Sequence, residues 1–463
     1  MSTTRSPGAG SRRWIEGWDP ENEAFWEREG KYVARRNLWL SILSEHIGFS
    51  VWSIWSVMVL FMSPAIGLGF SPSEKFLLVT TPAAVGALLR IPYSQGITRF
   101  GGRNWTIFST SILLVPTGLT FWFVQQPGTP LWVFLVIGAL TGVGGGNFAS
   151  SMTNITTFFP QRHQGWALGL NAGGGNIGVA VIQVVGLLVI ATVGSTSPAY
   201  VAGLYLPLIV VAALLAALRM DNVDAVRREP GMLRAAAGNK HTWWISFLYI
   251  GTFGSFIGYG FAFGLVLQNQ FDFTPLQAAT YTFIGPLLGS LSRPVGGWMS
   301  DRWGGERVTL WNFIGMAAGT GMLLVASAVD SFPLYLGSFV VLFVLTGIGN
   351  GSVYKMIPAV FARQAEQTIT EGGDAVEAFA WVRRFSGTVM GIAGAVGALG
   401  GVFINLTFRA SFGGAAASGD AALLTFLAFY AACVVVTWAV YLRGAAAREA
   451  SATRVSAKVG ADA

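Results

Sequence analysis

Two arginines, Arg90 and Arg293, lie inside long apolar stretches and are the residues best suited to bind a charged ligand. Placing a guanidinium at mid-membrane depth costs roughly 2.5–3.5 kcal/mol on insertion scales, so such residues usually mark a pathway. The guanidinium stays protonated and presents a planar fork of donors, which suits a flat oxyanion. We expect the two arginines to form one site for a small anion. The alternative is that each snorkels to the surface or pairs with a buried acid.

An amide and several aromatic rings could complete such a site. Asn176 lies in a glycine-rich apolar run, where a buried amide needs partners and can donate to an anion. Tyr259 and Phe263 are four residues apart on one helical face, Phe148 adjoins another glycine run, and Phe49 is central in the first apolar stretch. Ring edges are slightly positive and can wall an anion site. For each ring, core packing or lipid contact is the competing interpretation.

Three titratable residues also lie within apolar stretches, namely Glu45, His46 and Lys355. Intramembrane acids and histidines commonly serve as proton relays. These residues are therefore candidates for coupling proton movement to transport. An ion pair or solvation at a helix end explains them equally well.

The overall composition places these residues in a membrane protein. The chain has 463 residues, of which 53% are hydrophobic and 11% charged, against roughly 25% charged in soluble domains. The net charge of +7 comes from short loops and tails, which does not favour nucleic-acid binding. The one cysteine, Cys433, excludes a disulfide framework, and the three histidines are too scattered for a haem bundle. We expect no cofactor or metal.

A bilayer-crossing helix needs about 20 apolar residues, and twelve stretches qualify. They predict an all-α membrane protein with two pseudo-symmetric six-helix bundles. The approximate spans are 37–62, 75–98, 104–124, 130–158, 166–193, 199–219, 241–267, 276–300, 307–329, 332–360, 385–407 and 420–442. The predicted domains are an amino-terminal segment (1–36), the first bundle (37–219), a linker (220–240), the second bundle (241–442) and a tail (443–463).

The distribution of cations predicts the orientation. With both termini in the cytoplasm, 24 of the 29 Lys and Arg residues fall in cytoplasmic segments, three fall inside spans and two fall outside. Cytoplasmic loops carry an excess of these residues. The bias predicts a multi-pass protein of the cytoplasmic membrane with both ends inside.

An internal repeat supports the division into two bundles. Arg90 is followed nine residues later by Arg99, then by an aromatic residue and two glycines; Arg293 is followed in the same way by Arg302. A second pair of runs, Thr141-Gly-Val-Gly-Gly-Gly-Asn and Thr346-Gly-Ile-Gly-Asn-Gly-Ser, has nearly the same offset. Two halves with one internal order are typical of a transporter with its site at their interface.

Loop charges and glycines suggest how the halves move. Charge pairs and helix-end contacts at a cytoplasmic gate are predicted for Arg99, Arg103, Asp301, Arg302 and Arg307. Small residues let membrane helices approach closely, so we expect close packing along the fifth and eleventh spans. The glycines concerned are Gly165, Gly169, Gly173, Gly175, Gly391, Gly394 and Gly397.

Several motifs resemble the nitrate/nitrite porter family of the major facilitator superfamily. They are Trp18-Asp-Pro-Glu, Phe25-Trp26, Ala34-Arg-Arg-Asn-Leu-Trp39, GGGNFASSMTNITTFFP and GLNAGGGNIGV. The resemblance implies nitrate and nitrite transport across the bacterial inner membrane by alternating access. It implies that the paired arginines grip the planar anion. It also implies that Asn176, Phe148, Tyr259, Phe263 and, less firmly, Phe49 complete the cavity. It further implies that the glycines of the fifth and eleventh spans allow close sliding of the two halves.

Coupling is open at this level, because the family contains proton symporters and nitrate/nitrite exchangers. The extra titratable residues favour nitrate/proton symport, whereas two fixed positive charges suit an exchanger. Another small anion, such as a carboxylate or phosphate, is the weaker alternative. The repeat argues against a receptor, and the lack of a nucleophile-base arrangement argues against an enzyme. The expected partners are nitrate, nitrite, protons and the lipid bilayer, with the chain acting as a monomer.

Overall fold

The fold is described by a computed structural model covering residues 14–224, 231–370, 372, 374–414 and 417–443. Three sequence-level expectations fall partly outside these ranges. They concern the first 13 residues of the amino-terminal segment, residues 225–230 of the linker, and the tail from residue 444 onward.

Within the described ranges the structure contains twelve long helices, and they correspond to the twelve predicted spans. In chain order they are α1 (Glu23–Phe61), α2 (Pro72–Phe100), α3 (Gly102–Phe123), α4 (Leu131–Phe158), α5 (Gln161–Val193), α6 (Ala199–Arg219), α7 (Lys240–Gln270), α8 (Ile284–Trp303), α9 (Gly305–Ala328), α10 (Phe332–Thr370), α11 (Ala375–Phe412) and α12 (Asp420–Leu442). The prediction of a twelve-helix membrane fold is confirmed.

Some of these helices contain a break or a wider turn. The structure divides α1 at residues 53–54, α3 at 112–113 and α4 at Gly142. It places π-helical turns at Trp26–Gly30 in α1, Ile250–Gly254 in α7 and Thr437–Leu442 in α12. Shorter helical segments lie at Pro64–Ile66, Met232–Gly238 and Pro275–Thr282.

Eleven of the helices within the described ranges are long and apolar enough to cross a membrane. The helix that falls short is α8. Its sequence contains Arg293, Asp301 and Arg302 together with several glycines and serines, which lower its mean hydropathy. A polar intramembrane helix is characteristic of a helix that faces protein or a cavity, because unsatisfied polar groups are costly in lipid.

Local sequence signals explain where α2 begins and ends. Ser71 caps its first turn through the backbone N–H of Glu74, whose carboxylate accepts from Ser71 in return, with Pro72 at the first helical position. The helix ends at Gly101, which has φ of 85°. Gly304 occupies the same place between α8 and α9, with φ of 84°. Glycine is the residue that adopts this conformation without strain, which accounts for the repeated glycines in the two loop motifs.

The chain forms two compact units. The first contains Met1–Met232, Phe261–Gln268 and Asp272–Pro286, and the second contains Leu233–Gly260, Asn269–Phe271 and Leu287–Ala463. The boundary between Met232 and Leu233 falls within the predicted linker. The predicted domain limits otherwise remain predictions.

The amino-terminal segment is packed onto the first unit. Trp18 and Trp26 are buried in a cluster with Phe158 and Phe159, at the end of α4. Residues Trp14–Ile15 (β1) pair in parallel with Asn222–Val223 (β2), which adds a small two-stranded element to a helical fold. The linker is tied in further, because the carboxylate of Asp221 accepts from Arg36 at 2.5 Å and from Asn37 at 2.9 Å. The segment thus fixes one end of α1 against α4, α5 and the end of α6.

Candidate functional site

In the first unit, Arg90 is buried against aromatic rings. The side chain is 1% exposed on α2. Its guanidinium carbon lies 4.6 Å from the ring centroid of Phe148 on α4 and 5.7 Å from that of Trp52 on α1. Arginine over an aromatic face is an attractive cation–π arrangement. Rings from two neighbouring helices, α1 and α4, therefore lie beside the guanidinium that α2 contributes.

The same aromatic group includes Phe49, one turn before Trp52 on α1. The Phe49 ring lies 5.2 Å from Trp52, edge to face, and 6.1 Å from Phe148. The structure thus brings together three predicted site residues, Arg90, Phe148 and Phe49. It adds Trp52, whose Nε1 donates to the carbonyl oxygen of Pro82 at 2.6 Å. Sequence reasoning missed Trp52, although its helical spacing from Phe49 was a signal.

Glycines of α4 make room for these rings. A Cβ atom added at Gly145 would lie 2.7 Å from Trp52 Cε2, and one at Gly146 would lie 2.8 Å from the ring of Tyr93. Real Cβ atoms essentially never approach that closely. The glycine-rich run of α4 therefore lets α1 and α2 bring their large rings against its backbone.

Asn176 lies on α5 and is buried, as predicted for a residue of the cavity. Within the described ranges, neither its amide nitrogen nor its amide oxygen has a hydrogen-bond partner. Buried polar groups are nearly always hydrogen-bonded, so an amide in this state is available to a polar ligand. Its contact with a substrate remains a prediction.

In the second unit, Arg293 has an analogous aromatic setting. The side chain is 6% exposed on α8, and Nη2 donates to the Tyr249 hydroxyl at 3.2 Å. Its guanidinium carbon lies 5.2 Å from the ring centroid of Tyr354 on α10. The Tyr249 ring in turn lies 4.8 Å from Tyr354 and stacks on Phe253 at 5.1 Å. Each unit thus holds a buried arginine on rings from neighbouring helices.

The structure does not bring Tyr259 to Arg293. Tyr259 is fully buried, its hydroxyl is 2.6 Å from that of Tyr430, and its ring packs among four phenylalanines. These are Phe339, Phe343, Phe408 and Phe426. Phe263, one turn further along α7, is also buried.

The tyrosine that contacts Arg293 is Tyr249, one of the residues that sequence reasoning missed. Tyr249 and Phe253 are four residues apart, as are Tyr259 and Phe263, so spacing could not distinguish the two pairs. In the structure, the first pair differs from the second because a π-helical turn, Ile250–Gly254, begins directly after Tyr249 and contains Phe253. Such turns occur frequently at functional sites.

Two of the three titratable candidates are buried or partly buried on α1. The Glu45 carboxylate accepts hydrogen bonds from Asn171 and Ser151. His46 Nδ1 lies 3.0 Å from the carbonyl oxygen of Gly174. Both residues therefore contact α5.

Lys355 has a different environment. Its ammonium group pairs with Asp301 at 2.8 Å, and the two side chains are 42% and 61% exposed. The ion pair links the end of α8 to α10, which agrees with the gate contacts expected of Asp301. A coupling role for Lys355 remains a prediction.

The other predicted gate residues lie near helix ends. Arg103 donates to the carbonyl oxygen of Ala217 at 2.7 Å, joining α3 to α6. The Arg99 guanidinium lies 5.4 Å from the Phe100 ring centroid, and Arg302 and Arg307 are exposed. An unpredicted ion pair joins Glu306 to Arg363.

The glycines predicted to pack closely are of two kinds. Within the described chain, nothing lies within 4 Å of a Cβ atom added at Gly165, Gly169, Gly173 or Gly391. The expectation of close packing is wrong at these four positions. Gly175 abuts the Glu45 carboxylate, and Gly397 abuts the Tyr249 ring. A sliding role for the whole set, Gly394 included, remains a prediction.

No metal site is present among the described residues, where no group of three or more His, Cys, Asp or Glu side chains could hold an ion. Cys433 is buried and not in a disulfide. Each arginine cluster offers a fixed cation and ring walls, and the Arg293 cluster adds a hydroxyl; these are groups that can bind an anion.

Comparison with known proteins identifies the family of the chain. Residues 39–405 match the Major Facilitator Superfamily. The chain is 39% identical to the nitrate/nitrite transporter NarU of Escherichia coli (strain K12), over 94% of this chain and 97% of that protein. It is 33% identical to a protein of Thermus thermophilus named "Probable nitrate/nitrite antiporter NarK2", over 76% of this chain and 84% of that protein.

Solved structures give the same fold. The xylose transporter XylE from E. coli, in a partially occluded inward-open conformation, matches with a TM-score of 0.65 at 13% identity, over 89% of this chain and 98% of that chain. A nucleoside transporter, NupG, matches with a TM-score of 0.61 at 12% identity, over 88% of this chain and 100% of that one. The match to the Major Facilitator Superfamily and the identity to the sequence relatives establish that the chain belongs to the nitrate/nitrite porter family of the major facilitator superfamily, and that it is a transporter and not an enzyme.

Proposed function

We propose that the protein transports nitrate and nitrite across the bacterial inner membrane by alternating access, with nitrate moving together with protons. The observation that carries the proposal is the pair of buried arginines, each held on aromatic rings at repeat-related positions of the sequence. The names of the relatives, a nitrate/nitrite transporter and a nitrate/nitrite antiporter, support nitrate and nitrite as the substrates.

The chemistry of the two arginine clusters suits this substrate. Nitrate is planar and singly charged, and a guanidinium is a planar donor that can make two parallel hydrogen bonds to it. Arg90 over Phe148 and Arg293 beside Tyr249 have restricted orientations. Rings wall the site without adding competing charge. We propose that both arginines bind the transported anion and that Asn176 donates a further hydrogen bond.

The charge bias supports the proposed orientation. With both termini in the cytoplasm, 24 of the 29 Lys and Arg residues lie on the cytoplasmic side. Both halves of the transport unit belong to one chain, so a monomer suffices for function.

Nitrate/nitrite exchange without protons is the second candidate. It is favoured by the name of the Thermus relative and by the two fixed positive charges of the site. An exchanger changes back to its starting conformation only with an anion bound, because an empty site with two cations is electrostatically unfavourable. The arginines are the only observation that supports a small carboxylate or phosphate as the substrate.

Purified protein in liposomes tests these alternatives. We expect labelled nitrate to accumulate when the outside is made acidic, and labelled nitrate to exchange with internal nitrite. Nitrate entry under neither condition would reject the proposed substrate. Exchange without acid-driven accumulation would reject proton symport and leave exchange as the function.

The tyrosine at the second arginine gives a further prediction. Tyr249→Phe is expected to raise the KM for nitrate by about 10-fold, because a hydrogen bond to a charged group contributes roughly 1.5–3 kcal/mol. Initial rates of uptake over a range of nitrate concentrations would measure the change. Tyr335→Phe removes a hydroxyl from the same unit and is the matched control. A larger effect of Tyr259→Phe than of Tyr249→Phe would contradict our assignment of Tyr249.

A further inference from the structure

A buried carboxylate lies where three helices of the first unit meet. Glu45 on α1 is 0% exposed. Its Oε2 atom accepts from Asn171 Nδ2 on α5 at 2.6 Å and from the Ser151 hydroxyl on α4. A Cβ atom at Gly175 would collide with the same carboxylate, so the glycine is what lets Glu45 reach this position. Burying an acid is costly unless it is hydrogen-bonded, and these contacts offset that cost.

The carboxylate lies one helical turn from the aromatic rings around Arg90. Glu45 precedes Phe49 by four residues on α1, and Ser151 follows Phe148 by three on α4. The amino-terminal part of α1 packs against the carboxyl-terminal part of α4, since Leu38 and Phe158 share a cluster. Glu45 is therefore displaced from Phe49 along α1 toward the same end of the unit as Ser151 is displaced from Phe148 along α4. One turn corresponds to about 5.4 Å along the helix.

Few other ionisable groups are available at this depth. The helices packed on this part of α1 or on α4 beside it contribute Arg90 and Tyr93 from α2 and Tyr205 from α6, and α1 itself contributes His46. The His46 ring is engaged with the backbone of α5, and Lys355 pairs with Asp301 at an exposed position. Among the acids whose exposure the structure describes, Glu45 alone is completely buried.

We propose that Glu45 binds the proton that crosses with each nitrate, and that Ser151 and Asn171 position its carboxylate. The inference rests on the proposed function and deepens it. In the empty transporter the ionised carboxylate balances the charge of Arg90. A proton from outside binds Glu45 and cancels its negative charge, after which Arg90 binds nitrate. Once nitrate has left, the protonated carboxylate releases its proton to the inside, and Ser151 and Asn171 favour this release because they donate to the ionised form.

One carboxylate implies one proton per nitrate. The movement of a proton with a singly charged anion transfers no net charge. An inside-negative potential opposes a lone anion by about 2.3 kcal/mol per 100 mV, and this opposition disappears for the neutral pair. Acid-driven nitrate accumulation in liposomes should therefore change less than about 2-fold when a potassium diffusion potential is imposed. Transport that carried a net charge would change by more than this.

The test compares two modes of transport in the same liposomes. Glu45→Gln keeps the shape of the side chain but cannot release a proton. We expect it to lower acid-driven nitrate accumulation by at least about 10-fold, while nitrate/nitrite exchange at equal pH stays within about 3-fold of the wild type. Glu74→Gln changes a partly exposed acid at the start of α2; it is the matched control and should preserve both modes.

A second variant tests the role of Ser151. Ser151→Ala removes one donor to the ionised carboxylate, so we expect the external pH that gives half-maximal accumulation to rise by about one unit. A merely structural role for Ser151 would lower the rate at every pH without moving the midpoint. Such a result would remove Ser151 from the proposal.

Three outcomes overturn the inference. The first is full acid-driven accumulation of nitrate by Glu45→Gln. The second is an equal loss of accumulation and of exchange in that variant when it is correctly folded. The third is a wild-type protein that exchanges nitrate for nitrite but does not accumulate nitrate when the outside is acidic. None of them affects the proposed nitrate and nitrite transport, which fails only if the wild-type protein neither accumulates nor exchanges nitrate.

Discussion

Arg90→Lys is expected to lower nitrate uptake by about 100-fold although the positive charge is retained. Lysine is a compact cation without a planar fork, so it cannot make two parallel hydrogen bonds to a flat anion. It would also lose the contact of the guanidinium with the Phe148 ring, 4.6 Å away. Hydrogen bonds to charged groups contribute roughly 1.5–3 kcal/mol each, so losing one and weakening another accounts for this magnitude.

Initial rates of labelled nitrate uptake, at matched amounts of reconstituted protein, would measure the effect of Arg90→Lys. Acid-driven accumulation and nitrite exchange should both fall, because both require the anion to bind. Arg219→Lys, at the exposed end of α6, is the matched control and should transport normally. Near-normal uptake by Arg90→Lys would remove Arg90 from the binding site.

Gly144→Leu is expected to reduce the yield of folded protein by at least about 10-fold. A Cβ atom at Gly144 would collide with the Gly48 carbonyl and lie 3.2 Å from Trp52 Cβ. Backbone atoms cannot move aside as the end of a flexible side chain can, so α1 and α4 would have to separate. Overpacking a tightly packed interior typically costs 1–3 kcal/mol and occasionally more. The remaining atoms of leucine would make the collision worse.

Size-exclusion chromatography of the solubilised protein would report this loss as a smaller monodisperse peak. Gly118→Leu is the matched control. Within the described chain, nothing lies within 4 Å of a Cβ atom at Gly118, so its yield should equal that of the wild type. A normal peak for Gly144→Leu would show that the contact between α1 and α4 is not needed for folding.

The two glycine positions illustrate the limit of reading packing from sequence. Gly144 and Gly173 both lie in glycine-rich apolar runs, and both occur at spacings that predict close helix contacts. The structure packs the first against Gly48 and leaves open space at the second. Helical periodicity gives the relative directions of residues on one helix. It does not say which direction faces a neighbour, because that depends on how the other helices are placed.

The aromatic residues of the second arginine show the same limit. Tyr249 with Phe253 and Tyr259 with Phe263 have identical spacing on one helix. Only Tyr249 reaches Arg293, whereas Tyr259 reaches Tyr430. The π-helical turn Ile250–Gly254 lies between the two tyrosines. Such a turn shifts the helical register, and no composition signal in this segment predicts it.

Properties that depend on composition were determined by the sequence alone. Long apolar stretches have to be helical in a bilayer, since every backbone polar group must be satisfied within the segment. A cation inside such a stretch is costly, so Arg90 and Arg293 could be identified as functional candidates without a structure. The tertiary structure decided which groups surround these cations. Phe148 and Trp52 at Arg90, Tyr249 at Arg293, and Ser151 and Asn171 at Glu45 come from helices distant in sequence, and only their packing brings them into contact.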